Sequence, residues 1–296
     1  MDKIAFLFAG QGSQYIGMGA DFFTGHSGGI YDVMRSGLEE DLNKTINAQP
    51  AVYLHDLAVA EALRKRGIVP SCVAGFSLGE IPALVFAGVM NSKDGLSVVN
   101  IRAKAMQEAC DKHKGAMVAV MRLGVDVIME IAGQFKDVWL ANFNSPDQVV
   151  CACSIESADV FSDAVIKQGG RAIKLKVSGA FHCPYMNDAS EKFLKALYEV
   201  NFNGCSIPLY SNFTAKLYDA ADTKELASKQ INNPVLWQQI IENMLLYGVT
   251  TFVEVGPGKV LSGLVKKIAD NKGILNAKIL SASDMESVLK IVEELK

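Results

Sequence analysis

A serine becomes a nucleophile when a turn exposes it and a base takes its proton. Residues 75–79 read Gly75-Phe76-Ser77-Leu78-Gly79. A strand that turns sharply into a helix holds the middle residue of such a motif strained and exposed, and glycines two positions to either side leave room for the crowding. The apolar run Cys72-Val73-Ala74 before the motif and the helical pattern from Leu78 to about Ala87 after it supply that context. The serine then stands at a helix N-terminus, where the backbone N–H of Leu78 points outward and can stabilise an oxyanion. The same five residues also suit a glycine-bounded turn with a capping serine.

The chain has four histidines from which a base could come. His113 lies in Asp-Lys-His-Lys, a solvated charged turn, and His26 lies in a Gly/Ser-rich loop. His55 sits on the helix that follows Pro50, where a surface or packing role is expected. His182, in Ser178-Gly179-Ala180-Phe181-His182-Cys183-Pro184, is left by elimination as the candidate base. Because no histidine follows it, the ordinary hydrolase order Ser…Asp/Glu…His with a C-terminal histidine is excluded.

Arg102 is the third informative residue. On a helix of residues 92–110, Leu96, Val99, Ala103, Met106 and Cys110 form an apolar stripe, and Arg102 falls at its edge. Burying a guanidinium is costly without an anion. The residue therefore pairs with a core Asp or Glu, snorkels to the surface, or receives a substrate carboxylate bidentately.

Gly10-Gln11-Gly12-Ser13-Gln14 follows the first apolar run. It fails as a dinucleotide fingerprint because Tyr15 stands where the third glycine or alanine belongs. A glycine turn at a strand end beside residues 75–79 can instead give a backbone N–H to the same site.

These residues need a scaffold. Alternating strands (Lys3–Phe8, 72–74) and helices (from Gln49-Pro50 to near Arg66-Gly67, then 78–87 and 92–110) predict a parallel sheet covered by helices. Between residues 115 and 178 the order is strand, helix, strand, strand, helix, strand, the last being 172–177, which is the ferredoxin-like pattern. After it the alternation resumes. The prediction is an α/β fold with a hydrolase-like parallel sheet flanked by helices. Residues 1–114 and 179–296 form a discontinuous large domain, and 115–178 form an inserted ferredoxin-like subdomain.

Of the 296 residues, half are apolar and 21% charged, as in a soluble enzyme, and a net charge of -3 gives no general attraction to nucleic acid or anionic membrane. The apolar runs 4–9 and 81–90 are too short for a signal core or a membrane span. The six cysteines show no paired metal spacing and read as reduced thiols of a cytoplasmic protein, with Cys151 and Cys153 on one face of a strand.

FAGQGSQ at 8–14, GFSLGE at 75–80, IRAKAMQEA around Arg102, GAFH at 179–182, NNPVLW at 232–237 and EVGPGKVLSGL at 254–264 occur in that order. Together they resemble the malonyl-CoA:acyl carrier protein transacylases over essentially the whole chain. The resemblance implies malonyl transfer from malonyl-CoA to the phosphopantetheine thiol of acyl carrier protein, with no metal or redox cofactor. It implies Ser77 as nucleophile, His182 as base, Arg102 on the malonyl carboxylate and the N–H groups of Gln11 and Leu78 as oxyanion hole. It further implies Gln230 as the residue whose main-chain carbonyl orients His182. Phe181 resembles the malonyl-type rather than the methylmalonyl-type pattern.

Two positions depart from the family. Phe76 stands where its members usually have His, and Ala9 where they usually have Pro. The expected protein is a cytoplasmic monomer in fatty acid synthesis, meeting neither nucleic acid nor membrane. An acidic carrier would find Lys174, Lys176, Lys266 and Lys267 as a docking patch, unless these are plain solvated charges. An acyl hydrolase, a transferase of a polyketide synthase and a non-catalytic binding protein are the alternatives.

Overall fold

The computed structural model describes residues 3–296; Met1 and Asp2, the start of the expected large domain, lie outside the described residues. The first strand, β1 (Lys3–Phe8), buries every side chain from Ala5 to Phe8. Its alternation divides two cores: Phe6 and Phe8 join one apolar cluster, Ala5 and Leu7 another on the opposite face. A strand of a parallel sheet covered on both faces does this.

Three helices follow: α1 (Ile30–Ser36), α2 (Glu39–Leu42) and α3 (Thr45–Arg64). The sequence places the start of α3 at Gln49-Pro50, but it begins at Thr45 and Pro50 lies inside it. The proline has no N–H to give the Ile46 carbonyl, a loss the helix accepts one turn from its start. Strand β2 (Cys72–Gly75) then runs through a 3-10 turn at Ser77–Gly79 into α4 (Glu80–Phe86), and α5 (Ser92–Lys112) starts on an Asn91 side chain that accepts the Asp94 N–H at 2.9 Å. Gly95 lets α5 approach α3: a Cβ there would meet Val85 Cγ2 at 2.5 Å and press on the Tyr53 hydroxyl.

The middle of the chain is β3 (Gly115–Met121), α6 (Val125–Ala132), β4 (Val138–Ser145), β5 (Gln148–Ser154), α7 (Ser157–Lys167) and β6 (Arg171–Lys174). Its antiparallel sheet has the order β4-β5-β3-β6. Strand β6 ends earlier than the 172–177 alternation predicts, although Leu175 N–H still reaches the Met117 carbonyl at 2.8 Å. Cys151 and Cys153 are both buried in the core beneath this sheet, as their spacing predicts.

The rest comprises α8 (Asn187–Tyr198), β7 (Leu209–Tyr210), α9 (Thr223–Lys229), α10 (Trp237–Leu246), β8 (Val249–Val255), α11 (Val260–Asn271), β9 (Lys278–Ala282) and α12 (Met285–Leu295). The five strands β7-β2-β1-β8-β9 pair in parallel. Phe8 stands level with both Gly75 and Val255, so the turns after β1, β2 and β8 share one edge of the sheet. Ligands bind at this carboxyl edge in open α/β sheets. The hydrolase-like sheet and the ferredoxin-like unit are both present. Reciprocal bonds tie them together: Val235 N–H to the Ala141 carbonyl and Phe143 N–H to the Val235 carbonyl, each 2.9 Å.

Candidate active site

The turn after β2 is too tight for side chains at its ends. A Cβ on Gly75 would collide with the Gly79 carbonyl, and one on Gly79 with the Phe8 carbonyl. Between them Ser77 holds left-handed backbone (φ 51°), a conformation costing a non-glycine residue about 1–3 kcal/mol. Its N–H donates to Asn212 Oδ1 at 2.7 Å.

His182, in the loop that returns from the small sheet, is also left-handed (φ 58°) and 4% exposed. Its ring bridges the Gln230 carbonyl oxygen (Nδ1, 2.8 Å) and Ser77 Oγ (Nε2, 2.7 Å). A carbonyl only accepts, so Nδ1 carries the proton and Nε2 presents its lone pair to the Ser77 hydroxyl. Burial, with the Arg102 charge adding to it, lowers the imidazole to about 4, against the opposing bonds to Gln230 and Asn233. At neutral pH the ring is uncharged and can take a proton.

Arg102 is buried on α5. Its Nη1 donates to Gln49 Oε1 at 2.9 Å, and Nη2 donates to Gln230 Oε1 at 2.9 Å and to Ser77 Oγ at 3.2 Å. Burial lowers the guanidinium to about 10, with the Glu80 charge opposing, so it stays cationic at neutral pH. Of the three readings open in the sequence, snorkelling is excluded by burial. Among the described residues no carboxylate lies within ion-pair distance of Arg102. Its partners are two neutral amides and a hydroxyl, and Nε has no hydrogen-bond partner.

Ser77, His182, Arg102 and Gln230 thus form one hydrogen-bonded set. Gln230 contributes its side chain as well as its carbonyl, with Nε2 donating to the Ser77 carbonyl. Gln11 joins through Gln49, whose Nε2 donates to Gln11 Oε1 at 3.3 Å, and it lines the same cavity as Ser77 and His182. Leu78 is buried directly after the serine. That cavity, of about 320 Å³, lies between the sheets and has an apolar wall of Met117, Val150, Leu175 and Val177.

Three of the set's neighbours went unnoticed in the sequence. Gln49 and Asn212 give no local signal, being polar residues whose partners lie 53 and 135 residues away. Glu80 does give one: a carboxylate opening the apolar segment EIPALVF, fully buried and pushed up to about 8 by that burial. Phe76 makes no polar contact; its ring meets Trp237 edge-on (centroids 5.3 Å apart, 73°) and packs on the backbone at Gly10, where a Cβ would come within 2.9 Å of it.

Of the other histidines, His55 is fully buried against Phe22, and His113 is half-buried and stacked on Tyr185 at 4.8 Å rather than solvated. Lys174, Lys266 and Lys267 have acidic neighbours in Asp159, Asp270 and Asp147, exposed pairs worth little.

Residues 26–289 match the acyl transferase domain family. The chain is 37% identical to the malonyl CoA-acyl carrier protein transacylase of Bacillus subtilis (strain 168), covering 100% of this chain and 98% of that protein. The chain belongs to the malonyl CoA-acyl carrier protein transacylase family of acyl transferases. The Escherichia coli (strain K12) member is also 37% identical, over 91% of this chain and 94% of its own. Among solved members of the family, the Clostridium perfringens transacylase superposes with a TM-score of 0.92 at 37% identity, covering 99% of this chain and 97% of that one. A malonyl-transacylase in complex with its type II PKS acyl-carrier protein superposes with a TM-score of 0.92 at 33% identity, covering 99% and 100%. In this chain Ser77, His182 and Arg102 come from three separate segments gathered at one sheet edge.

Proposed function

We propose that this protein moves a malonyl group from malonyl-CoA to the phosphopantetheine thiol of acyl carrier protein, through a malonyl ester on Ser77, in fatty acid synthesis. The observation that carries the reading is Arg102: a buried cation 3.2 Å from the nucleophile, held only by neutral partners. A malonyl carboxylate is a stronger acceptor than an amide oxygen and supplies the missing charge.

In the first half-reaction His182 Nε2 takes the Ser77 proton as Oγ attacks the thioester carbonyl. The N–H groups of Gln11 and Leu78 receive the oxyanion. The intermediate expels CoA, whose sulfur takes the proton back from His182. In the second half the carrier thiol gives its proton to His182 and attacks the ester, and Ser77 leaves with that proton. The Gln230 carbonyl holds the imidazole in its Nδ1–H form, the task a carboxylate performs in the familiar triad. Every step uses groups of the chain and its two substrates, so no metal or redox cofactor enters. We take residues 115–178 as a subdomain inserted into the large domain, and the working protein as a cytoplasmic monomer. Two facts support the placement: six cysteines present as thiols, and no helix among the described residues long and apolar enough to cross a membrane.

The deciding measurement is intact mass after treatment with malonyl-CoA: a gain of about 86 Da at Ser77 marks malonyl capture. Adding carrier protein must then discharge it onto the carrier. Release of free malonate as fast as malonyl-carrier would instead make the protein a hydrolase.

A further inference from the structure

The turn that carries Ser77 leaves two backbone groups without a regular partner, the Gly75 carbonyl before the serine and the Ser77 N–H. Both are met by one side chain. Asn212 Nδ2 donates to the Gly75 carbonyl at 2.6 Å, and its Oδ1 accepts the Ser77 N–H at 2.7 Å. Building on the reading of Ser77 as nucleophile, we infer that Asn212 is a positioning residue, a clasp that holds the strained turn in its reactive geometry from both sides of the serine.

The chemistry of the clasp is selective. One donor and one acceptor, side by side and both uncharged, are what a carboxamide offers. Asn212 is fully buried, so loss of either bond strands a backbone group away from water. The asparagine is itself fixed. Two residues beyond β7, its N–H donates to Glu80 Oε2 at 2.7 Å and its carbonyl accepts the Leu236 N–H at 2.9 Å. The Tyr218 hydroxyl donates to the other oxygen of Glu80. Glu80 begins α4, the helix the turn leads into, so the contacts close a ring: turn, Glu80, Asn212, turn. The left-handed Ser77 conformation is thereby registered against the end of β7, a strand remote in sequence. The Ser77 N–H is also committed to Asn212, so the oxyanion donor of this turn is the next amide, that of Leu78.

A residue that merely glues β7 in place and one that aims the nucleophile both matter for stability, but only the second sets the acylation rate of folded protein. The test is single-turnover formation of the acyl-enzyme, followed by mass against malonyl-CoA concentration, for wild type, Asn212→Ala, Asn212→Asp and Ser77→Ala, each normalised to the folded fraction from circular dichroism. For Asn212→Ala the maximal acylation rate should fall on the order of 100-fold, with half-saturation changed less than about threefold. Asn212→Asp keeps the acceptor and lacks the donor while ionised; protonation restores an O–H toward the Gly75 carbonyl. Its rate relative to wild type should therefore climb as the pH is lowered from 8 toward 5.

A folded Asn212→Ala that acylates at the wild-type rate, or a loss confined to half-saturation, overturns the clasp. If Asn212→Ala does not fold, Asn212→Asp decides alone: a climbing ratio supports the inference and a flat one overturns it. An adduct that forms in Ser77→Ala would instead show that the nucleophile is misassigned, a separate failure.

Discussion

Ser77 and His182 meet at 2.7 Å from two left-handed backbone positions, φ 51° and 58°, that lie 105 residues apart. Neither is glycine, so each conformation is held by its surroundings: the first by Gly75, Gly79 and Asn212, the second by burial and the bond to Gln230. The short contact is therefore a property of two rigid turns rather than of two mobile side chains.

The acidic limb of acylation follows from the imidazole. Burial first, and the Arg102 charge second, hold its folded value near 4. The base must be neutral, so kcat/KM for malonyl-CoA should stay level from pH 8 to about 5 and fall with a midpoint near 4. The depressed value also costs stability as the pH drops below the unfolded value of about 6.5, so rates need normalising to folded protein. In Arg102→Ala the limb should move to higher pH, since a cation opposing imidazolium has gone. An unmoved limb would contradict the coupling.

Arg102→Ala should also reverse the acyl preference. Transfer of malonyl should drop by about 100-fold, the loss of a charge-assisted, bidentate partner, while acetyl transfer changes by less than about tenfold. Competition between malonyl-CoA and acetyl-CoA measures the ratio directly. Equal losses for both would remove the carboxylate role.

Asp56 offers a stability test away from the chemistry. Its carboxylate is fully buried with neither oxygen hydrogen-bonded, and a Cβ on Gly256 would collide with it. Burial, with Glu254 adding to it, raises its pKa well above the ordinary value. A raised folded value gives stability that is complete below the unfolded pKa of about 3.9 and is lost as the pH rises through the folded one. Asp56→Asn cannot titrate. Its melting temperature should exceed wild type by about 2–5 °C at pH 8, with the gap closing toward pH 5. A gap independent of pH would show that Asp56 stays charged.

Gly75→Ala tests the turn by crowding. The added methyl has nowhere to go but the Gly79 backbone, so the strand-to-helix turn must open. The expected outcome is a loss above about 3 kcal/mol in denaturant unfolding, or no soluble protein, where Gly263→Ala, in open space, leaves stability within about 1 kcal/mol or raises it.

Local chemistry was the legible part of this protein. The glycines around Ser77, the strand and helix on either side, and the alternation of the ferredoxin-like unit are written in neighbouring residues. The helix period put Arg102 against the core without telling what it would touch. Gln49, Asn212 and the side chain of Gln230 stayed hidden because their partners come from elsewhere in the chain, where no short window reaches. Pro50 misled for the opposite reason: its local rule marks a helix start, and the helix begins a turn earlier at Thr45 and runs through it.

The base stands on the loop where the small sheet rejoins the large one, while the nucleophile belongs wholly to the large one. A molecule filling the 320 Å³ cleft between the sheets, against Met117 and Val150, would occupy the space beside both side chains without reacting with either. Keeping substrate out of this protein would thus take neither an electrophile nor a mimic of malonate, only a plug of that volume.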